Sequence, residues 1–529
     1  MAEPEPTAAP GLASRPGARS TRYSYLVVGG ILLCLLMGAL DNFVVLTALE
    51  GPRGILTGLG ASASGETFII SAYLITSTVA VPIFAKLSDI FDRRAVFLAG
   101  LFIFIGGSIL SGLSQSFDQL IAFRAIQGFG SGDFFPVGLS IVAVIFPPET
   151  RARVTGLLSG VFGIATVAGP FIGSAIVTVT TWRWVFYVNI PVGLAGLALI
   201  LVALGPIRPE VRGRFDVVGG GLLAGWVTAL MFPLVQISEG GWSWGDPRVL
   251  GLLLTAAVLV AAFVVWELRA AEPLVPLRLL RRRIVGASGS TTLVVGAVVF
   301  PLATLITLFV STVTLSASAA NPQDTVRDVL YFLVIPLVFG AALGGSLLIR
   351  FAYRPVALLG VGIATIGLVL LTPVGTGTPL WTFAFGFLPV GGVVAPLIPA
   401  GFGAGLTFPV FLLAVQNQVP EGEVGAATGL VQFLQSLGGA LGLTLLSSYI
   451  NLRVTALSPP IPSGGCSPVP PISPACAQYF AGVLSATATA FDEVFWILAV
   501  LLALGFVASL FLTGRLPRGR GPMGPVGGA

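Results

Sequence analysis

Runs of about twenty apolar residues, separated by short polar breaks, recur along almost the whole chain. Such a run, at about 1.5 Å per helical residue, matches the roughly 30 Å hydrocarbon core of a bilayer. The pattern predicts spans near 23–49, 65–85, 95–114, 118–145, 152–178, 184–205 and 217–237, then 248–268, 285–315, 327–349, 355–373, 391–416, 424–449 and 491–513. Residues 374–390 are apolar but broken by Gly and Pro, so the count is fourteen spans, not fifteen. The first run is too long for the core of a secretion signal, and the Pro- and Arg-rich residues 1–22 before it read as a disordered tail. The expected fold class is an all-α polytopic membrane protein.

Positive charges orient these spans. With fourteen crossings and the N-terminus inside, 21 of the 27 Lys and Arg residues fall on the cytoplasmic side and five, Arg53, Arg183, Arg248, Arg327 and Arg453, outside. The remaining one, Arg124, lies inside a span. Both termini are therefore expected in the cytoplasm, with the protein multi-pass in the cell membrane. The largest external connection, 451–490, is rich in Pro, Ser and Gly and holds Cys466 and Cys476, which could form a disulfide or remain two thiols.

Composition narrows the function. Charged residues make up 9% of the 529, hydrophobic ones 55%, and the mean hydropathy is +0.98; a soluble surface needs roughly 25% charge. There is no histidine, so no His base, His–metal site or His relay can exist. Three cysteines, Cys34 among them, cannot alone build a zinc or iron–sulfur centre. No phosphate-binding G-x-x-x-x-G-K-[ST] occurs, so an ion gradient or passive flow must supply the energy. The net charge of +5 sits in short loops beside apolar runs, which argues for lipid headgroups and against nucleic acid. No enzyme activity, cofactor or metal is expected.

Three motifs carry a resemblance. Ala85-Lys-Leu-Ser-Asp-Ile-Phe-Asp-Arg-Arg94 resembles the loop signature G-x-L-a-D-r-x-G-r-r of the major facilitator superfamily, with Leu87, Asp89, Arg93 and Arg94 matching and Ala85, Ile90 and Asp92 departing. Arg124-Ala-Ile-Gln127-Gly128 is similar to its R-x-x-q-G element, and Gly156, Gly169, Pro170 and Gly173 fall on its antiporter signature. Leu40-Asp41 through Ala48-Leu49, and Trp182-Arg-Trp-Val-Phe-Tyr-Val-Asn189-Ile-Pro191-Val-Gly193, resemble elements of the fourteen-helix drug:proton antiporters. The resemblance implies two six-helix bundles, 23–205 and 285–514, joined through two extra helices and a linker over 206–284, with tails at 1–22 and 515–529.

Ionisable groups at membrane depth are costly and mark function. Asp41 is the candidate proton carrier, because a carboxylate in a partly dry cavity can exchange a proton for a cation. Arg124 cannot shuttle protons; it would hold the charge of Asp41 or a water beside it. Asp133, nine residues further on and about 13–14 Å along a helix, is either a second proton or cation site or a solvated group near the interface. Asn42, Phe43 and Tyr73 are candidate cargo contacts. Asp89, Arg93 and Arg94 read as a conformational latch, with Asp89 meeting a helix N-terminus or a neighbouring base. Asn189 and Pro191 read as turn and capping residues. The expected function is proton-coupled export of amphiphilic or cationic small molecules by a monomer in the bilayer. A dedicated exporter of one metabolite, siderophore or self-made antibiotic, or a non-transporting membrane sensor, are the alternatives.

Overall fold

The computed structural model describes residues 21–49, 54–60, 66–208, 213–238, 241–314, 322–372, 383–385, 388–390, 392–419, 424–462, 466 and 473–514. The tails expected at 1–22 and 515–529 thus lie almost wholly outside the described residues. The first half holds α1 (Thr21–Thr47), the short α2 (Ile55–Leu59), α3 (Glu66–Ile90), α4 (Arg93–Leu113), α5 (Phe117–Ser131), α6 (Phe134–Ile145), α7 (Pro148–Val179), α8 (Trp184–Tyr187) and α9 (Asn189–Ala203). Next come α10 (Val217–Ser238) and α11 (Pro247–Arg269). The second half holds α12 (Arg283–Phe309), which ends in a π-turn at Val310–Thr314, then α13 (Pro322–Leu347), α14 (Tyr353–Leu371), α15 (Val394–Gln416), α16 (Val424–Leu457) and α17 (Pro474–Ser509). Thirteen spans among the described residues are long and apolar enough to cross a membrane. The fifth expected span, 152–178, falls inside the 32-residue α7.

Three departures from the expected elements have physical causes. The span at 118–145 is two helices, broken at Gly132 and Asp133, where three glycines in six residues weaken the rod. The connection at 451–490 is largely helical: α16 runs to Leu457 and α17 starts at Pro474, capped by Ser473. Hydropathy sees only the part of a helix that meets lipid, so Ala-, Ser- and Thr-rich extensions beyond it read as loop. Asp492 and Glu493 are consequently mid-helix, where Glu493 accepts hydrogen bonds from Tyr449 (2.8 Å) and Arg453. Within 374–390, Phe383–Phe385 (β1) and Leu388–Val390 (β2) form a small antiparallel hairpin. Cys466 and Cys476 are joined in a disulfide, with 5.4 Å between their Cα atoms.

Buried apolar side chains form three clusters. One joins α1, α3, α4, α6, α7 and α9 and takes in Leu412 of α15, a smaller one gathers around Trp182 and Phe186, and the third joins α10–α17 and takes in Val79 and Val81 of α3. The two halves meet along α3 and α7. Helix α7 lies on the seam between them, packed on α1 in its own half and on α13 in the other. Within the second half, glycines bring α13 and α15 together backbone to backbone: a Cβ at Gly401 would stand 1.8 Å from the Leu333 carbonyl oxygen, and one at Gly405 2.0 Å from that of Leu337. Close approach of this kind replaces the hydrophobic effect as the source of helix adhesion in lipid.

Candidate functional site: a buried charge network behind a shared cavity

Helix α1 carries Asp41, α4 carries Ser108, α5 carries Arg124 and Gln127, and α9 begins with Asn189. All five are buried. Arg124 Nη1 donates to Asp41 Oδ2 and lies 3.0 Å from the accepting Gln127 Oε1. Gln127 Nε2 and Asn189 Nδ2 each donate to Asp41 Oδ1 at 2.8 Å, and both also reach Ser108 Oγ, at 3.2 and 3.0 Å. Ser108 passes its own proton to the Phe186 carbonyl (2.9 Å). The three-residue spacing of Arg124 and Gln127 puts both on one face of α5. A charge pair so enclosed is held by its extra donors; removing either partner leaves the other uncompensated, at a cost of about 3–5 kcal/mol. Arg124 Nη2 has no hydrogen-bond partner among the described residues, so the guanidinium is not fully satisfied by this set.

Tyr73 of α3 connects this network to open space. Its hydroxyl donates to the Gly38 carbonyl (3.1 Å), and the Arg124 guanidinium carbon lies 4.3 Å from its ring centroid. Tyr73 also lines a cavity of about 280 Å³ between the two halves. The first half contributes Phe43, Phe134 and Phe135 to the wall, and the second contributes Phe300, Phe408 and Gln432. Asp41 and Arg124 are not on that wall. Asp41, expected in a partly dry cavity with Arg124 holding its charge, is paired with Arg124 and stands behind Tyr73, off the cavity wall, enclosed by the donors on α5 and α9. Phe43 and Tyr73 line the cavity as expected, while the Asn42 side chain lies outside the described residues.

Asp133 caps no backbone group at the start of α6 and is fully buried, and neither carboxylate oxygen has a hydrogen-bond partner among the described residues. Its side chain faces α4, where a Cβ on Gly100 would sit 2.4 Å from Asp133 Oδ2. The solvated, interfacial position is thereby excluded. Asp133 does not meet Arg124, as their separation along the chain implied.

At the far end of α3, Asp89 accepts from the Ala426 backbone N–H in the first turn of α16 and lies 3.6 Å from Arg93 Nη2. A Cβ on Gly425 would stand 2.0 Å from Asp89 Oδ1. Arg94 turns away and donates to the Leu201 carbonyl of its own half (3.1 Å), so it takes no part in this contact. Alongside, Arg151 of α7 reaches Asn417 Oδ1 (3.5 Å), whose amide donates to Tyr353 Oη (2.9 Å), a second bridge between the halves at the same end. The α7 signature sits on its two seams: Gly156 faces the Ala341 carbonyl of α13, and Gly169 faces Phe43 of α1. Gly173 is buried; the Pro170 side chain lies outside the described residues.

The pattern common to the Major Facilitator Superfamily matches residues 31–443. The chain belongs to that superfamily. It is similar to the multidrug transporter protein MdtP of Bacillus subtilis, 31% identical over 448 residues that cover 83% of this chain and 77% of the relative. It is also similar to the tetracenomycin C resistance and export protein of Streptomyces glaucescens, 31% identical over 428 residues, or 80% and 76% of the two chains. The human organic anion transporter MFSD10 has the same fold, with a TM-score of 0.57 at 16% identity, over 90% of this chain and 99% of that one.

Within this superfamily member, three network residues carry more than the sequence alone indicates. Asn189 is not a cap: its amide spans from α9 to α1 and holds Asp41. Gln127 stood inside the R-x-x-q-G match without a role, and Ser108 went unremarked. The available signal was polarity itself, since a side-chain amide inside an apolar span must find partners. Which partner it finds depends on helices far apart in sequence.

Proposed function

We propose that the chain is a proton-coupled exporter that exchanges protons for amphiphilic small molecules by alternating access. The observation that carries this reading is the enclosed Asp41–Arg124 pair, one aromatic ring away from a cavity shared by both halves. With Asp41 ionised, the pair is compensated and Tyr73 is pinned beneath the guanidinium. A proton on Asp41 removes the counter-charge, while Arg124 stays charged. In so dry a place the guanidinium must then lean on its remaining neighbours: Gln127, the Ile69 carbonyl and the Tyr73 ring. Any shift of Tyr73 is a shift of the cavity wall. Cargo pressing on Tyr73 acts in the reverse sense and favours the ionised pair. Asp133 is the proposed second proton site.

The Asp89–α16 contact and the Arg151–Asn417–Tyr353 bridge are proposed to hold the cytoplasmic side closed. Neighbouring arginines favour placing that end inside, with both termini cytoplasmic and the chain a monomer in the cell membrane. The division into six-helix bundles of 23–205 and 285–514, with an inserted pair between, is part of the same reading. A narrower variant, export of a single antibiotic, is favoured by the likeness to the tetracenomycin C resistance and export protein of Streptomyces glaucescens; resistance to one compound only, in a sensitive host, would select it.

The test is purified protein in vesicles with an imposed pH gradient. Cargo should accumulate against its gradient and stop when the gradient and the voltage are both collapsed. Asp41→Asn should abolish accumulation while the protein remains inserted. Full-speed transport by that variant overturns the reading.

A further inference from the structure

The described wall of the shared cavity carries no formal charge. Among the described residues that line it, Tyr73 is the one titratable group; the others are apolar, hydroxyl or amide side chains. Asp41 and Arg124 neutralise each other behind Tyr73, and Asp133, between the wall residues Gly132 and Phe134, turns its carboxylate toward Gly100 of α4. A cation entering such a space gives up hydration and meets no counter-charge, a loss that grows steeply in a low-dielectric interior. Aromatic faces return only a fraction of it, and Tyr73 is already engaged by Arg124.

What the wall does offer is specific. Phe134, Phe135, Phe300 and Phe408 supply flat apolar contact from both halves. Ser77 and Ser131 donate their protons to carbonyls of their own helices, at 3.0 and 2.7 Å, which leaves their oxygen lone pairs as acceptors on the cavity side. Gln432 adds an amide with both polarities. We infer that the cargo is an uncharged aromatic molecule bearing hydroxyl donors. This inference rests on the exporter reading and names its substrate class. It has an electrical consequence: each proton exchanged for uncharged cargo moves one net charge, so voltage alone should drive transport.

The test uses anthracenemethanol and its trimethylammonium counterpart, two probes of similar size, one neutral and one a permanent cation. Equilibrium binding to the full chain in detergent should favour the alcohol by at least about tenfold. Gln432→Glu, or Ser436→Asp if that variant does not fold, should reverse the order by placing a carboxylate on the wall. Equal or tighter binding of the cation by the unaltered protein overturns the inference, and so does failure to bind either probe. In vesicles without a pH gradient, an imposed potassium diffusion potential should raise flux of the alcohol several-fold over unpolarised vesicles. Flux that follows the pH gradient but ignores voltage would mean that cargo charge offsets the proton, which also overturns it. Selective binding of the alcohol with no proton-driven flux would leave the substrate class standing and sink the exporter reading instead.

Discussion

The Asn189 amide lies 2.8 Å from Asp41 Oδ1, although 148 positions separate the two residues in the chain. It ties the first helix of the half to the last. Asn189→Leu removes one charge-assisted donor and leaves Gln127 and Arg124 in place. A hydrogen bond to a charged group contributes about 1.5–3 kcal/mol, so proton-driven transport should fall roughly tenfold or more. Asn189→Gln or →Ser should recover part of it. Flux assays on equal amounts of inserted protein check this; an unchanged rate would show that the amide only fills space.

Tyr73 is attached separably to the Gly38 carbonyl through its hydroxyl and to the Arg124 guanidinium through its ring. Tyr73→Phe keeps the ring and loses one neutral hydrogen bond, near 1 kcal/mol, and should cost transport less than about tenfold. Tyr73→Ala removes the screen between cavity and ion pair. Cargo should still bind, but proton release on binding, followed with a pH dye in weakly buffered detergent, should disappear. Retained proton release in the alanine variant would remove Tyr73 from the coupling path.

Asp133 presents two buried oxygens without partners. An ionised carboxylate in that setting is far costlier than a neutral acid. Asp133→Asn should therefore leave the melting temperature within a few degrees of the parent, while the number of protons moved per cargo falls. Calorimetric or fluorescence melting and reversal-potential measurements in vesicles report the two separately. A large drop in stability with unchanged stoichiometry would make Asp133 a structural residue.

Gly425 leaves no room for a side chain against Asp89. Gly425→Val should push α16 off α3 and shift the population toward the state open at that end. Thr428, fully buried one turn further along α16, offers the readout. In a background lacking the free thiol of Cys34, Thr428→Cys should react with a maleimide faster when Gly425→Val is added, by about tenfold for a shift of 1.4 kcal/mol. An unaltered labelling rate would count against Asp89 as a latch.

Much of this was legible in advance, for a reason particular to membranes. Asp41, Arg124 and Asp133 stand out in the chain because charge inside an apolar run is expensive and seldom incidental. Span positions followed from the same contrast. What stayed hidden depends on contacts between distant helices. Asn189 looks like a capping residue until α9 is placed beside α1. The helical extensions of α16 and α17 lack the apolar excess that hydropathy detects. The neutrality of the described cavity wall was also beyond reach, since it depends on which face each acid turns to; Asp41 stands behind that wall, with Tyr73 between.

The carbonyl-to-glycine seams between α13 and α15 have a mechanical result. At Gly401 and Gly405 even a methyl group would collide with the α13 backbone, so any substitution there must force the two rods apart. On the proposed exporter reading, helices joined this closely move as one plate, and a push on the face of α15 is carried to α13 through backbone atoms instead of long side chains.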